Sequence, residues 1–232
     1  MIIYGKNVIK EAILNQRPIY KLYVDEKLND NKFIAFLDNR KVSYIKTNKG
    51  ELNKLSDNGI HNGVVADALA YPYYDLEEVL DLNKQQRFLM LDEIQDPHNL
   101  GAILRSAEAT LIDGIITSKN HQVPLTGVVA KSSSGATEYV KMIQVSNLYQ
   151  TLLKLQNLNY LTVGTAGEAT SNYKDIPKDR SLVIVMGNEG EGLRPLIKKG
   201  CEMLVSIPML GKINSLNVSV ATALLLYETL TV

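Results

Sequence analysis

The sequence predicts an α/β protein in two parts, and three observations carry that prediction. Short β-rich runs alternate with amphipathic helical windows along the first 70 residues, the pattern of a small α/β sandwich. From residue 87 the β-rich runs become almost wholly apolar, as central strands of a parallel sheet do when helices cover both faces. Between the two, residues 71–85 (YPYYDLEEVLDLNKQ) interrupt the rhythm with Pro72, clustered tyrosines and acidic residues, and read as a partly helical linker.

Taken in order, the first part offers KNVIKEAILNQ as a helix, KLYVDE as a strand, KFIAFLDNR as a helix, VSYIKT as a strand, GELNKLS as a helix and GVVADA as a strand. In the second part the strands are RFLMLDEI, DGIITS, KMIQVS, YLTVGTA, SLVIVMG and EMLVSIPM. The helical windows among them are LGAILRSAEATLI, GVVAKSSSGATEYV, LYQTLLKLQNLN and LRPLIKKG, and SLNVSVATALLLYETL comes last. That alternation predicts a doubly wound sheet, whose ligands sit at the carboxyl ends of strands.

With 232 residues, 45% apolar and 22% charged, the chain has the composition of a soluble globular protein. Its longest apolar runs, such as VATALLLY, are too short to cross a bilayer. Charges in MIIYGKNVIKEAI leave no apolar stretch for a signal peptide, so a cytoplasmic location is expected. Cys201 stands alone and reads as a packed residue, and the three histidines show no zinc-site spacing, so no metal is expected. The net charge is zero, which gives no overall footprint for nucleic acid. Residues 1–70, however, hold 11 Lys+Arg against 8 Asp+Glu, a net +3, while the remainder holds 14 against 17, a net −3. An RNA-facing surface would therefore belong to the N-terminal part.

Three strand-to-helix junctions in the second part are unusually polar. In QDPHNLGAILRSAEA, Pro97 and Gly101 shape a turn, Asn99 stands where a helix begins, and Arg105 and Glu108 follow. Asn99 reads equally as a helix cap; Arg105 is either a solvated or paired helix residue or one pointed at a partner or cleft. In GNEGEGLRP, Gly187, Gly190 and Gly192 could bring backbone N–H groups near a ligand, but their order departs from the dinucleotide fingerprint G-x-G-x-x-G. Glu189 inside that turn suits a cation, a hydroxyl or an amine better than a phosphate, or is simply a solvated loop acid. The third junction, IPMLGKINSLNVSVATALLLYE, crowds Asn214, Ser215, Asn217 and Ser219 ahead of an apolar helix. One such side chain caps a helix; four suggest an N-terminus that also holds something. Together these junctions place Asn, Arg, Glu, Ser and Asn at the carboxyl ends of strands, with no nucleophile–His–Asp or Cys–His set for acyl chemistry, and the site reads as one built for hydrogen bonding and charge orientation.

The same three stretches resemble, in order and spacing, the motifs of the SpoU (TrmH) family of RNA ribose methyltransferases in the SPOUT superfamily. DPHNLGAILRSAEA resembles the first motif, VIVMGNEGEGLRP the second and IPMLGKINSLNVSVATALLLYE the third, across a domain at residues 86–232. Through YGKNVIKEAI, HNGVVA and its layout, the part before residue 71 is similar to the ribosomal-protein-like RNA substrate-binding domain that many members carry. The resemblance implies a C-terminal trefoil-knotted SPOUT methyltransferase domain with a parallel sheet, preceded by that small α/β RNA-binding domain. It implies S-adenosyl-L-methionine as cofactor, a homodimer, and RNA as partner, above all 23S rRNA or a large-subunit precursor, with no membrane or DNA partner.

By the same resemblance the catalytic set is Asn99 and Arg105 from the first motif, Glu189 from the second, and Ser215 and Asn217 from the third. Gly187, Ile207 and Leu216 match positions that hold the cofactor. The reaction implied is methylation of a ribose 2′-hydroxyl, most of all that of a guanosine. The family's arginine is proposed to activate the hydroxyl, yet a guanidinium with a pKa above about 12 is a poor base. Arg105 is therefore expected to orient the target's phosphate and hydroxyl and to stabilise developing negative charge. Asn99 and Asn217 would hold the nucleotide, Ser215 would support the turn, and Glu189 would orient the nucleotide or a polar neighbour. The alternatives are a tRNA-loop target and a non-catalytic RNA-binding or ribosome-assembly role.

Overall fold

The computed structural model describes residues 1–230 and starts with a strand outside the predicted set, β1 (Ile2–Tyr4). There follow α1 (Lys6–Leu14), β2 (Ile19–Asp25), α2 (Asn31–Asn39), β3 (Ile45–Thr47), α3 (Lys49–Leu55) and β4 (Val64–Ala68). β4 pairs antiparallel with β1 and β2, and β3 runs parallel to β2, so the sheet order is β1-β4-β2-β3. α2 and α3 start where the sequence supplies caps: Asp30 accepts from the Phe33 N–H and Asn48 from the Glu51 N–H. The apolar faces of α1 and α2, with Val8, Ile9, Phe33 and Leu37, bury against Ile3, Leu22, Val24, Val64 and Ala66.

Residues 124–139, which the sequence reading gave to the second domain, pack in this first unit with residues 1–71. The predicted helix there shrinks to α6 (Gly127–Ser132), because Ser134 and Gly135 turn to φ 56° and 97° and a single 3₁₀ turn follows. Packing explains the location. Ala130 joins the core around Ile3 and Val8, and a Cβ on Gly127 would lie 2.6 Å from the Ile2 carbonyl oxygen. Glu138, whose carboxyl is pushed up by burial, pairs with Arg17 at 2.9 Å and accepts the Tyr71 hydroxyl at 3.0 Å.

The second unit takes in residues 72–123 and the chain from Val140 onward. Its elements are α4 (Leu76–Val79), β5 (Arg87–Leu91), α5 (Pro97–Ala109), β6 (Gly114–Ser118), β7 (Met142–Val145), α7 (Leu148–Asn157), β8 (Leu161–Thr165), β9 (Ser171–Asn172), β10 (Leu182–Met186), α8 (Pro195–Gly200), β11 (Met203–Ser206) and α9 (Val218–Glu228). All seven strands are parallel, in the order β7-β6-β5-β10-β8-β11-β9. β10, at the middle of the order, is buried along its whole length, as its sequence LVIVM predicts. The chain leaves β5 and β10 toward opposite edges of the sheet, a topology that gathers ligands at the carboxyl ends of strands.

From Pro72 onward, the stretch read as a linker is part of this unit. Leu76 and Val79 of α4 are buried in its core, and Tyr74 exchanges backbone hydrogen bonds with Met142 and Gln144 beside β7. Buried Gln86 finishes the connection, with its amide donating to the Val79 carbonyl and to Asp113, and its oxygen accepting from the Asp81 N–H and the Tyr160 hydroxyl. A buried amide with every group satisfied fixes where the chain enters β5. Among the described residues no helix is long and apolar enough to cross a membrane.

Candidate functional site

The segments that follow β8, β10 and β11 line a cavity of about 310 Å³ at the carboxyl ends of these strands. Gly187, Ile207 and Leu216, the residues expected to hold a cofactor, all line it, and so do Glu189 and Ser215. Met186, Leu193, Val205 and Val218 give it an apolar wall, and Asn188, Ser206 and Asn214 supply hydrogen-bonding groups.

Glycine is required where β10 turns. A Cβ on Gly187 would lie 2.0 Å from the Gly192 carbonyl carbon, and Gly192 itself has φ +70°. Asn188 winds the loop by accepting the N–H groups of Gly190 and Glu191 at 3.0 and 2.8 Å. The far end of the loop is held by Asp92, directly after β5. Its buried carboxylate accepts the Arg194 backbone N–H at 3.0 Å and the guanidinium at 2.7 Å, and Glu93 pairs with the same arginine at 3.1 Å. These contacts, the Asp92 hydrogen bond foremost, raise the pKa of Arg194 above its ordinary value.

Three residues from the three polar junctions meet, and one of them, Glu189, lines the cavity. Asn99, in the first turn of α5, donates its amide to the Glu189 carboxylate. The Asn99 oxygen accepts the Asn217 amide at 3.0 Å, and the Asn217 oxygen caps α9 by accepting from the Ser219 N–H at 2.9 Å and hydroxyl at 2.6 Å. The cap of α5 itself is Asp96, which accepts the His98 N–H, so Asn99 is free for this cross-link. A carboxylate only accepts and a backbone N–H only donates, so the two ends fix which way both asparagines point.

Arg105 does not join this cluster. It lies on α5, exposed, and no hydrogen bond or ion pair among the described residues engages its side chain. Ser215 and Leu216 are likewise exposed at the cavity rim. The arrangement can present oriented amides and carboxylates to an occupant, and it leaves a guanidinium on the neighbouring helix for an anionic group. Cys201 is no nucleophile at neutral pH, since burial pushes its thiol up to about 12. Among the described residues no group of three His, Cys, Asp or Glu side chains could hold a metal ion.

Sequence reasoning missed Asp92 and Arg194, and it missed Glu168 and Lys198, an ion pair on the cavity wall. A signal existed for Asp92, an acid at the carboxyl end of an apolar strand. Nothing in the sequence pairs it with a residue 102 positions away.

Comparison with known proteins places the chain in a family. Residues 86–227 match the SpoU rRNA Methylase family, and residues 2–74 match the RNA 2′-O ribose methyltransferase substrate-binding domain. A Staphylococcus aureus protein assigned to the TrmH family of tRNA/rRNA methyltransferases is 38% identical over 233 residues, covering 98% of this chain and 94% of the relative. Among solved structures, an RNA 2′-O ribose methyltransferase superposes with a TM-score of 0.80 at 26% identity, over 99% of this chain and 87% of that one. The SpoU methyltransferase AviRb from Streptomyces viridochromogenes, solved with AdoMet, shares the fold with a TM-score of 0.82 at 24% identity, over 99% and 88% of the two chains. The α/β architecture with its parallel sheet is that of these methyltransferases, and the chain belongs to the SpoU (TrmH) family of RNA methyltransferases.

Proposed function

We propose that this protein methylates the ribose 2′-hydroxyl of a guanosine in large-subunit (23S) rRNA, with S-adenosyl-L-methionine as methyl donor. The observation that carries the reading is the Asn217–Asn99–Glu189 chain, which joins all three polar junctions beside the cavity. The cavity fits the donor: an apolar wall suits an adenine, and three carboxylates, Glu168, Glu189 and Glu191, suit its positive charges. One lysine, Lys198, is the only cation among the lining residues, a poor set for the two phosphates of a dinucleotide. Gly187, Ile207 and Leu216 would hold the donor, largely through backbone groups.

When bound, the donor supplies a methyl group on a sulfonium whose thioether leaves without an acid. The protein's task is then to align the ribose hydroxyl, keep water out and stabilise the charge that grows on its oxygen. Arg105 takes the target's phosphate and hydroxyl, Asn99 and Asn217 hold the nucleotide, Ser215 supports the turn, and Glu189 fixes Asn99. The first unit, residues 1–71 with 124–139, binds the RNA substrate, and the second unit, which takes in residues 72–85 as well as the three polar junctions, carries out the transfer. Support for the substrate domain comes from the family match over residues 2–74. The trefoil knot belongs to the same proposal: Ile207, Met209, Asn214, Ser215, Leu216 and Val218 line the cavity that 165–168 and 186–193 also line, as a threaded C-terminal segment would. Cytoplasmic location and a homodimer complete the reading.

The test is transfer of tritium from labelled S-adenosylmethionine to unmodified large-subunit rRNA and, separately, to bulk unmodified tRNA. Label in rRNA, at one alkali-resistant guanosine and absent with Arg105→Ala, is the expected result. Label only in tRNA would overturn the substrate, and no label with no cofactor binding would leave an RNA-binding factor.

A further inference from the structure

The charged groups of the cavity are unevenly matched. Glu168, Glu189 and Glu191 bring carboxylates to its wall and Lys198 brings the one ammonium among the lining residues. Glu189 is engaged by Asn99, which leaves Glu168, Glu191 and Lys198 for an occupant. Lys198 lies in the last turn of α8 and forms an ion pair with Glu168, in the turn after β8. Two segments remote in sequence thus set a positive and a negative group side by side on a pocket wall, the side chains 32% and 68% exposed. An ion pair this open to solvent contributes little to folding, so exchanging it for the groups of a ligand costs little.

We propose that this pair reads the amino-acid end of S-adenosylmethionine, Lys198 receiving the α-carboxylate and Glu168 the α-ammonium. The proposal rests on the methyltransferase reading of the cavity and assigns to it two residues outside all three motifs. Charge complementarity carries it. The donor has one carboxylate against an ammonium and a sulfonium, the inverse of one lysine against Glu168 and Glu191, the two lining carboxylates that Asn99 does not engage. Neutral nucleosides of the same shape, lacking the amino-acid end, would leave the pair closed on itself.

Calorimetric titration of the full chain with two thioethers separates the possibilities. S-adenosylhomocysteine has the amino-acid end; 5′-methylthioadenosine lacks it, and neither carries a sulfonium. Lys198→Met is expected to weaken S-adenosylhomocysteine about tenfold, the size of one charge-assisted contact, while 5′-methylthioadenosine stays within about twofold and reports an intact cavity. Glu168→Gln is expected to weaken the same ligand by a smaller factor. Equal weakening of both ligands by Lys198→Met, or no weakening of either, would overturn the proposal and leave the cofactor reading standing. A wild-type chain that binds neither nucleoside would remove both.

Discussion

At the scale of single residues, the informative feature is the direction of the hydrogen bonds. Glu189 must accept, so Asn99 must donate to it; the Asn99 oxygen is then available only as the acceptor for Asn217. Asn99→Asp would set a carboxylate against a carboxylate. Methyl transfer is expected to fall by about tenfold or more and the melting temperature to drop, as contacting residues couple strongly. Adding Glu189→Gln should recover most of both, because the glutamine amide donates to one oxygen of the introduced carboxylate and leaves the other for Asn217. If the double variant is as poor as the single one, the chain does not set the orientation. Asp92 gives a second prediction. It holds the backbone and guanidinium of Arg194 from a fully buried position, so Asp92→Ala should cost about 2 kcal/mol in denaturant unfolding and loosen the 187–194 loop.

At the scale of elements, the start of α9 serves packing and site together. Asn217 caps the helix with its oxygen and reaches Asn99 with its nitrogen. Asn217→Asp keeps the cap and loses the donor, so stability should be kept while transfer falls. Asn217→Ala should lose both, with about 1 kcal/mol of stability from the cap. In the first unit, burial lowers the pKa of His61 below its ordinary value, with Lys49 and Lys131 adding to the effect and Asp25 opposing it. Its Nδ1 accepts the Gly63 N–H at 2.9 Å, which leaves Nε2 to donate to Asn53 at 2.9 Å; protonation at Nδ1 breaks the first bond. A depressed pKa means that the stabilisation is complete above the unfolded value, near about 6.5, and is lost as the pH falls through the folded one. Melting temperatures between pH 7.5 and 5.5 should therefore fall less steeply for His61→Gln than for the wild type.

The same scale shows what the sequence could reveal. Strands of β5, β6, β8 and β10 were legible because apolar runs bounded by turns leave few alternatives. β1 and β9, with three and two residues, are too short to display a period. α6 looked like a longer helix because its alanines and valines suit one, and Ser134 and Gly135 end it through backbone conformations that composition does not encode. The membership of residues 124–139 in the first unit depends on Ile3, Arg17 and Tyr71, partners more than 50 residues away in the chain. The polar junctions, by contrast, announced Asn99, Glu189 and Asn217, since short polar side chains between an apolar strand and an apolar helix need a reason. Arg105 was equally visible, but no hydrogen bond or ion pair among the described residues reveals its role.

At the scale of the whole molecule, α9 carries an uncovered apolar stripe. A helix that is apolar all round is a buried helix, yet only one side of this one is covered. Val218, Thr222, Leu225 and Leu226 are buried, while Val220, Leu224 and Tyr227 form a stripe at helical spacing that stays 37–56% exposed. Leu216, at the cavity rim just ahead of the helix, is exposed as well, so whatever covers the stripe also lies near the proposed catalytic groups. A second copy of the chain is the expected cover, and it would couple assembly to activity. Sedimentation velocity should show a dimer for the wild type and a monomer for Leu224→Glu/Tyr227→Glu, which exchanges only exposed side chains and should keep the fold by circular dichroism. Methyl transfer should fall with the dimer, and should rise again with protein concentration if the single variant Tyr227→Glu only weakens association. A wild-type monomer that transfers methyl groups at full rate would show that each copy builds its site alone.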